Sequence, residues 1–231
     1  MEVVPTITTT AIDTFEYLFS RFVPSCKTFQ IDIQDGILVP SKTFTARDLL
    51  SYLQNLAPER LKTYKSATFD FHLMEIDYKD SLQAVETIAS LIRVRYVFVH
   101  MNFLHSLTTS LTLCPTINPE DRALDELRML DKPLITFPAI QVMTIHPGPQ
   151  GQAFIPKQLE RIRDLRDAGF KGDIIVDGAI NQASLRHILS LPKIYHPDCV
   201  CVGSYFSRAP DYEIVDRVET LRSLLKSYPN T

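Results

Sequence analysis

Hydrophobic positions along this chain follow two alternating patterns. Eight short runs, rich in β-branched and aromatic residues, are almost continuously apolar, as expected of parallel strands that are covered on both faces. Between them, apolar residues recur at helical spacing, for example at Leu82, Val85 and Ile88. The runs predict strands at residues 3–7, 28–34, 68–74, 95–100, 111–114, 140–145, 173–177 and 199–202.

The intervening stretches predict helices, and two of them begin with a proline in the first turn. The predicted helices cover residues 46–56, 80–92, 119–130, 156–168, 182–191 and 212–225, with Asn118 and Asn181 as cap candidates. Eight alternations without a linker predict one (β/α)8 TIM barrel over residues 1–231. Only ten residues separate His100 from Leu111, so the fourth crossover helix is expected to be short or missing. A doubly wound open sheet is the alternative architecture.

Composition narrows the classes of function. The chain has 231 residues, 45% of them hydrophobic, which is enough for one large core. A net charge of −3 with dispersed basic residues argues against a nucleic-acid surface. No apolar run approaches the roughly 20 residues of a membrane span, and the first residues do not resemble a secretory signal. The four cysteines form no C-x-x-C pair, so we expect reduced thiols and a cytoplasmic protein.

Glycines mark one end of the predicted strands. Five of the seven follow a strand, namely Gly36, Gly148, Gly151, Gly178 and Gly203. A glycine at such a position permits a sharp turn or a close approach of the main chain to a ligand. These positions indicate a site built partly from main-chain N–H groups, which can bind a small anion.

Acidic residues and one histidine fall at the same strand ends. Alternation along the second and third strands places Gln30, Asp32 and His72 on the inner face of the barrel, with Asp70 one layer deeper in a structural position. Asp177 ends the seventh strand. A buried carboxylate needs a hydrogen-bond donor, a cation or a metal ion. An aspartate held by backbone donors and a hydrogen-bonded core histidine remain the structural alternatives.

Five segments resemble the ribulose-phosphate 3-epimerase family. Their order along the chain agrees with the family over nearly its whole length. Residues 142–154 are similar to the family's V-M-T/S-V-x-P-G-F-G-G-Q-x-F run, and residues 71–74 to its H-L-M strand. Residues 31–40 resemble its H-x-D-V-M-D-G-x-F-V-P stretch. Residues 176–180 and 202–204 resemble its V-D-G-G and G-S-A-I-F segments.

The resemblance implies a barrel that binds one divalent metal ion (zinc, iron, manganese or cobalt) and acts on a small phosphorylated ketose. By motif position, Asp32 and Asp177 match the acid/base carboxylates and metal ligands, and His72 matches a further ligand. The implied substrate contacts are His72, Thr9, Met74, Met143, Gly148, Pro149, Gln150, Gly151, Gly178, Ala179, Gly203 and Ser204. A homo-oligomer is also implied.

The implied reaction is inversion at C3 of D-ribulose 5-phosphate, in which one carboxylate removes a proton and the other returns one. The chain departs from the family pattern at a metal-binding histidine, replaced by Gln30, at a methionine, replaced by Gln34, and at two glycines, replaced by Gln150 and Ala179. A sugar-phosphate-binding barrel with weak or no catalysis and a ketohexose-phosphate 3-epimerase are therefore alternatives. A decarboxylase barrel of the D-x-K-x-x-D type is disfavoured because residues 70–75 contain no lysine.

Overall fold

Eight parallel strands form a closed barrel in chain order, and the first strand pairs with the last. The computed structural model describes residues 1–104, 106–122, 125, 127 and 133–227. The strands are β1 Glu2–Ile7, β2 Thr28–Gln34, β3 Thr68–Met74, β4 Arg93–His100, β5 Leu113–Ile117, β6 Ala139–Met143, β7 Asp173–Asp177 and β8 Cys199–Val202. This topology confirms the predicted (β/α)8 TIM barrel.

Side chains alternate between two hydrophobic cores. Inside the barrel, a small cluster consists of Val4, Phe98, Cys114, Ala139, Ile175, Cys199 and Cys201. Outward-pointing residues such as Ile31 and Ile33 join a much larger cluster between the sheet and the helices. Because both faces of every strand are covered, the strands show the continuous apolar runs that parallel sheets require.

The described α-helices surround the barrel, and most of them carry several buried residues at helical spacing. They are Ile12–Phe22, Ala46–Gln54, Pro58–Lys65, Lys79–Leu91, Met101–Leu104, Leu159–Asp167, Gln182–Leu189, Ser204–Ser207 and Ile214–Ser227. Asn181 caps its helix as predicted, with its side chain accepting hydrogen bonds from the N–H groups of Ala183 and Ser184. None of the described helices is both long and apolar enough to cross a membrane.

Several predicted boundaries differ from the structure. β5 begins at Leu113 and ends at Ile117, whereas the pattern predicts residues 111–114. β6 ends at Met143, two residues before its predicted end. The fourth crossover is short, as predicted, because its described helix covers only Met101–Leu104. The predicted helix at residues 119–130 lies largely outside the described residues.

One buried ion pair lies below the candidate site, toward the start of the strands. Asp70 is 1% exposed, and its carboxylate accepts hydrogen bonds from Arg95 Nε at 3.0 Å and Arg95 Nη2 at 2.6 Å. The backbone N–H of Tyr96 donates a third at 3.2 Å. These donors fully engage the carboxylate, so Asp70 holds β3 and β4 together rather than taking part in the site above it.

Candidate metal and acid–base site

Three potential metal ligands meet at the carboxyl ends of the strands. The pairing of β2 with β3 places Asp32 directly beside His72, and β7 ends at Asp177. One ligand atom from each of the three lies within 4.8 Å of the other two. All three side chains are buried, so the strand register brings together groups that are far apart in sequence.

The imidazole of His72 is available as a ligand. It is 0% exposed, and neither ring nitrogen has a hydrogen-bond partner among the described residues. His72 Nδ1 lies 3.8 Å from Asp32 Oδ1 and 3.7 Å from Asp177 Oδ2, too far for hydrogen bonds. A buried, unpartnered imidazole between two carboxylates fits a divalent cation such as zinc, iron, manganese or cobalt.

Gln30 faces both carboxylates with its amide nitrogen. Its Nε2 donates to Asp32 Oδ1 at 3.0 Å and to Asp177 Oδ2 at 2.6 Å. Its Oε1 accepts from Gln141 Nε2 at 3.0 Å and from Cys201 Sγ at 3.1 Å. Burial raises the pKa of the Cys201 thiol well above its ordinary value, so the thiol stays protonated and acts as a donor. The thiol thereby fixes the orientation of the amide.

Gln141 adds a second amide to this network. Its Nε2 also donates to Asp177 Oδ2 at 2.8 Å, and its Oε1 accepts from Thr116 Oγ1 at 3.1 Å. Asp177 Oδ2 therefore receives two amide donors, which hold the carboxylate in place. Gln30 in this orientation presents no oxygen to a metal ion, and the candidate ligand set consists of Asp32, His72 and Asp177.

The environment of Asp32 favours its protonated form. Burial, followed by repulsion from Asp177, raises the pKa of Asp32 to about 6, while His72 and hydrogen bonds from Thr8 and Gln30 act in the opposite direction. Thr8 Oγ1 donates to Asp32 Oδ2 at 2.6 Å. Asp32 therefore keeps its proton to a higher pH than an ordinary aspartate does.

His100 covers the other side of His72. The two rings stack with centroids 5.8 Å apart and planes inclined by 20°. Burial, together with His72, lowers the pKa of His100 to about 3, so this ring is neutral. A neutral neighbour leaves the negative charge of the two aspartates available for a cation.

Most of the residues predicted for catalysis, metal binding or substrate contact line one cavity at this end of the barrel. They are Asp32, His72, Met74, Met143, Gly148, Gln150, Gly151, Asp177, Gly178, Ala179, Gly203 and Ser204. Thr6, Ile145 and Ile180 also line it and were not predicted. Two predicted residues are placed differently. Pro149 does not line the described cavity, and the Thr9 hydroxyl accepts from Ala11 N at 3.4 Å, while Thr8 makes the contact with Asp32.

Comparison of the sequence with known protein families identifies the family of this chain. The model of the ribulose-phosphate 3 epimerase family matches residues 21–204. The chain belongs to this family. It is 30% identical over 103 residues to the ribulose-phosphate 3-epimerases of Escherichia coli K12 and Shigella flexneri, a match that covers 43% of this chain and 43% of each relative.

Solved structures support the fold alone. The chain superposes on 3-hexulose-6-phosphate synthase from Salmonella typhimurium with a TM-score of 0.67 at 12% identity, covering 99% of this chain and 100% of that one. It superposes on phosphoribosyl anthranilate isomerase from Thermus thermophilus with a TM-score of 0.62 at 13% identity, with the same coverage. These neighbours catalyse different reactions on the same architecture, so function has to be argued from the site.

Proposed function

We propose that this protein epimerises a 2-ketose phosphate at C3, interconverting D-ribulose 5-phosphate and D-xylulose 5-phosphate. The observation that carries the proposal is the meeting of Asp32 and Asp177 in one cavity, with the imidazole of His72 within 4.8 Å of both. Membership of the epimerase family supports the same class of reaction.

The two aspartates match the requirements of inversion at a carbon next to a carbonyl group. One carboxylate removes the C3 proton, and the other returns a proton to the opposite face. In the reverse direction the two exchange roles. The raised pKa of Asp32 supports a role in proton transfer, because a carboxyl group whose pKa lies nearer to neutral pH both accepts and releases a proton more readily.

A divalent ion bound by Asp32, His72 and Asp177 would act as a Lewis acid toward the ketose oxygens and lower the barrier to proton removal. The protein supplies the orientation of its ligands. Gln30 and Gln141 donate amide hydrogen bonds to the aspartates, and Thr8 donates to Asp32. These bonds restrict the rotation of both carboxylates, which keeps them directed into the cavity.

The loops after β7 and β8 are the proposed phosphate end of the site. Gly178, Ala179, Gly203 and Ser204 all line the cavity. In (β/α)8 barrels the loops after the seventh and eighth strands frequently bind phosphate through main-chain N–H groups. Binding the phosphate there would position C3 near the aspartates without taking part in the proton transfers.

One observation favours a second candidate, a sugar-phosphate-binding barrel with weak catalysis. Gln30 directs its amide nitrogen, not its oxygen, at both carboxylates, so it competes with a cation for Asp32 and Asp177. Three ligands remain, and weak metal binding would lower turnover without removing the cavity.

The test is formation of D-xylulose 5-phosphate from D-ribulose 5-phosphate, with zinc, iron, manganese or cobalt added in turn. We expect turnover with at least one ion and its loss in Asp32→Asn and in Asp177→Asn. Asp35→Asn is the matched control, because Asp35 caps a turn through the N–H groups of Ile37 and Leu38. Binding of the substrate without turnover under every condition would favour the second candidate, and absence of binding would reject both.

A further inference from the structure

The loop after β6 lies across the mouth of the cavity and is held on both sides. On one side, the carbonyl oxygen of Gly148 accepts a hydrogen bond from Gln34 Nε2 at 3.3 Å. On the other, the Arg208 guanidinium is so close to Gly151 that a methyl group there would lie 2.9 Å from it. The loop thus contacts the end of β2 on one side and the segment after β8 on the other.

Gln150 extends from this loop into the cavity. Its Nε2 donates to Thr8 Oγ1 at 2.9 Å, and its Oε1 accepts from Ser207 Oγ at 3.4 Å. Thr8 in turn donates to Asp32. The amide of Gln150 is therefore linked through one hydroxyl group to a proposed acid/base residue.

The same amide fills the space next to Gly203. A methyl group at Gly203 would lie 2.6 Å from Gln150 Nε2, so the amide is packed against that main chain. With Gln150 in this position the free volume of the cavity is about 30 Å³. Because one water molecule needs roughly 10–15 Å³ by this measure, the space left beside the Gln150 amide holds two or three waters.

We propose that Gln150 is a specificity-determining latch, whose side chain has to leave the cavity before the phosphate end of a phosphorylated ketose can enter. This inference rests on the proposed function, since it concerns the substrate of the same site. Displacement breaks the contacts of Gln150 with Thr8 and Ser207, and this cost weakens binding of the substrate.

The experiment measures binding of D-ribulose 5-phosphate and of D-ribulose to the metal-free protein by titration calorimetry. Gln150→Ala removes the latch, and we expect roughly tenfold tighter binding of the phosphorylated sugar, because two modest hydrogen bonds no longer have to be broken. D-ribulose, which lacks the phosphate, should change by less than about twofold. Gln150→Glu keeps the size but adds a negative charge, and should weaken binding of the phosphorylated sugar below that of the unmodified protein.

Gln152→Ala is the control within the same loop. Its side chain donates to the carbonyl oxygens of His146 and Pro149, and Gln152 does not line the cavity. Equal affinities of the unmodified protein and Gln150→Ala, weaker binding by Gln150→Ala, or an equal gain in Gln152→Ala would each overturn the latch while leaving the proposed function in place. Absence of D-ribulose 5-phosphate binding in all variants, both in the metal-free protein and with zinc, iron, manganese or cobalt added, would reject the proposed function together with the latch.

Discussion

Replacing Asp32 by asparagine should make the metal-free protein more stable at alkaline pH. Burial and repulsion from Asp177 raise the pKa of Asp32 to about 6 in the folded protein, whereas an aspartate in an unfolded chain has a pKa of about 3.9. The folded state therefore binds the proton more tightly. The stability that Asp32 contributes is present below about pH 4 and is lost as the pH rises through about 6.

The size of the effect follows from the difference in pKa. A difference of about two units corresponds to about 3 kcal/mol in the free energy of unfolding. Asparagine cannot accept from both Thr8 and Gln30 as the carboxylate does, and this mismatch costs about 1–2 kcal/mol at every pH. Asp32→Asn should therefore be about 1–2 kcal/mol less stable than the unmodified protein at low pH and about 1–2 kcal/mol more stable above neutral pH.

Urea unfolding of both proteins with a chelator present, at about pH 4 and about pH 8, measures this change. Asp35→Asn is a control for which the change in stability with pH should have the opposite sign. Burial raises the pKa of Asp35, but hydrogen bonds from the backbone of Ile37, Ile76 and Leu38 outweigh it and lower the pKa. That variant should lose more stability at high pH than at low pH. A difference between Asp32→Asn and the unmodified protein that does not vary with pH would refute the reasoning.

Three further substitutions test other parts of the structure. Gln30→His removes the amide nitrogen that competes with a cation and adds an imidazole. Metal affinity measured by competition with a chelator should therefore rise at least roughly tenfold. Unchanged affinity would mean that Gln30 already ligates through its oxygen. Ala179→Gly should stabilise the protein by up to about 1 kcal/mol, because Ala179 has a φ of 53°, and thermal unfolding showing a loss would contradict this. Arg95→Ala leaves Asp70 buried without its cation and should lower the free energy of unfolding in urea by about 3–5 kcal/mol. Arg93 is exposed, so Arg93→Ala should change that free energy little. Similar effects of both substitutions would argue against a structural ion pair.

The fold is predictable from sequence because each strand of a barrel is buried on both faces. The eight apolar runs locate all eight strands, with errors of a few residues where a run continues into a loop, as after Met143. The helix Ile12–Phe22 is not among the predicted elements, although Phe15, Phe19 and Phe22 are buried at helical spacing. That signal is present in the sequence, and the alternation of strands and helices alone would have required an element there.

The candidate site is predictable to the extent that it depends on strand ends. Asp32, His72 and Asp177 converge because the carboxyl ends of parallel strands share one rim of the barrel. The direction of the Gln30 amide is not predictable, because it is set by Cys201 on β8 and Gln141 on β6. Beyond the end of β1 the alternation of side chains no longer applies, so it does not predict which hydroxyl group there contacts Asp32; in the structure that group belongs to Thr8.

The most direct test of the proposed mechanism measures incorporation of deuterium at C3 of D-ribulose 5-phosphate in deuterated water. The reaction is run with each divalent metal in turn and monitored by nuclear magnetic resonance. The two-carboxylate account predicts exchange at C3 that accompanies formation of D-xylulose 5-phosphate. Asp32→Asn and Asp177→Asn should each abolish the inversion. Absence of exchange in the unmodified protein with every metal, or undiminished inversion in both variants, would contradict it.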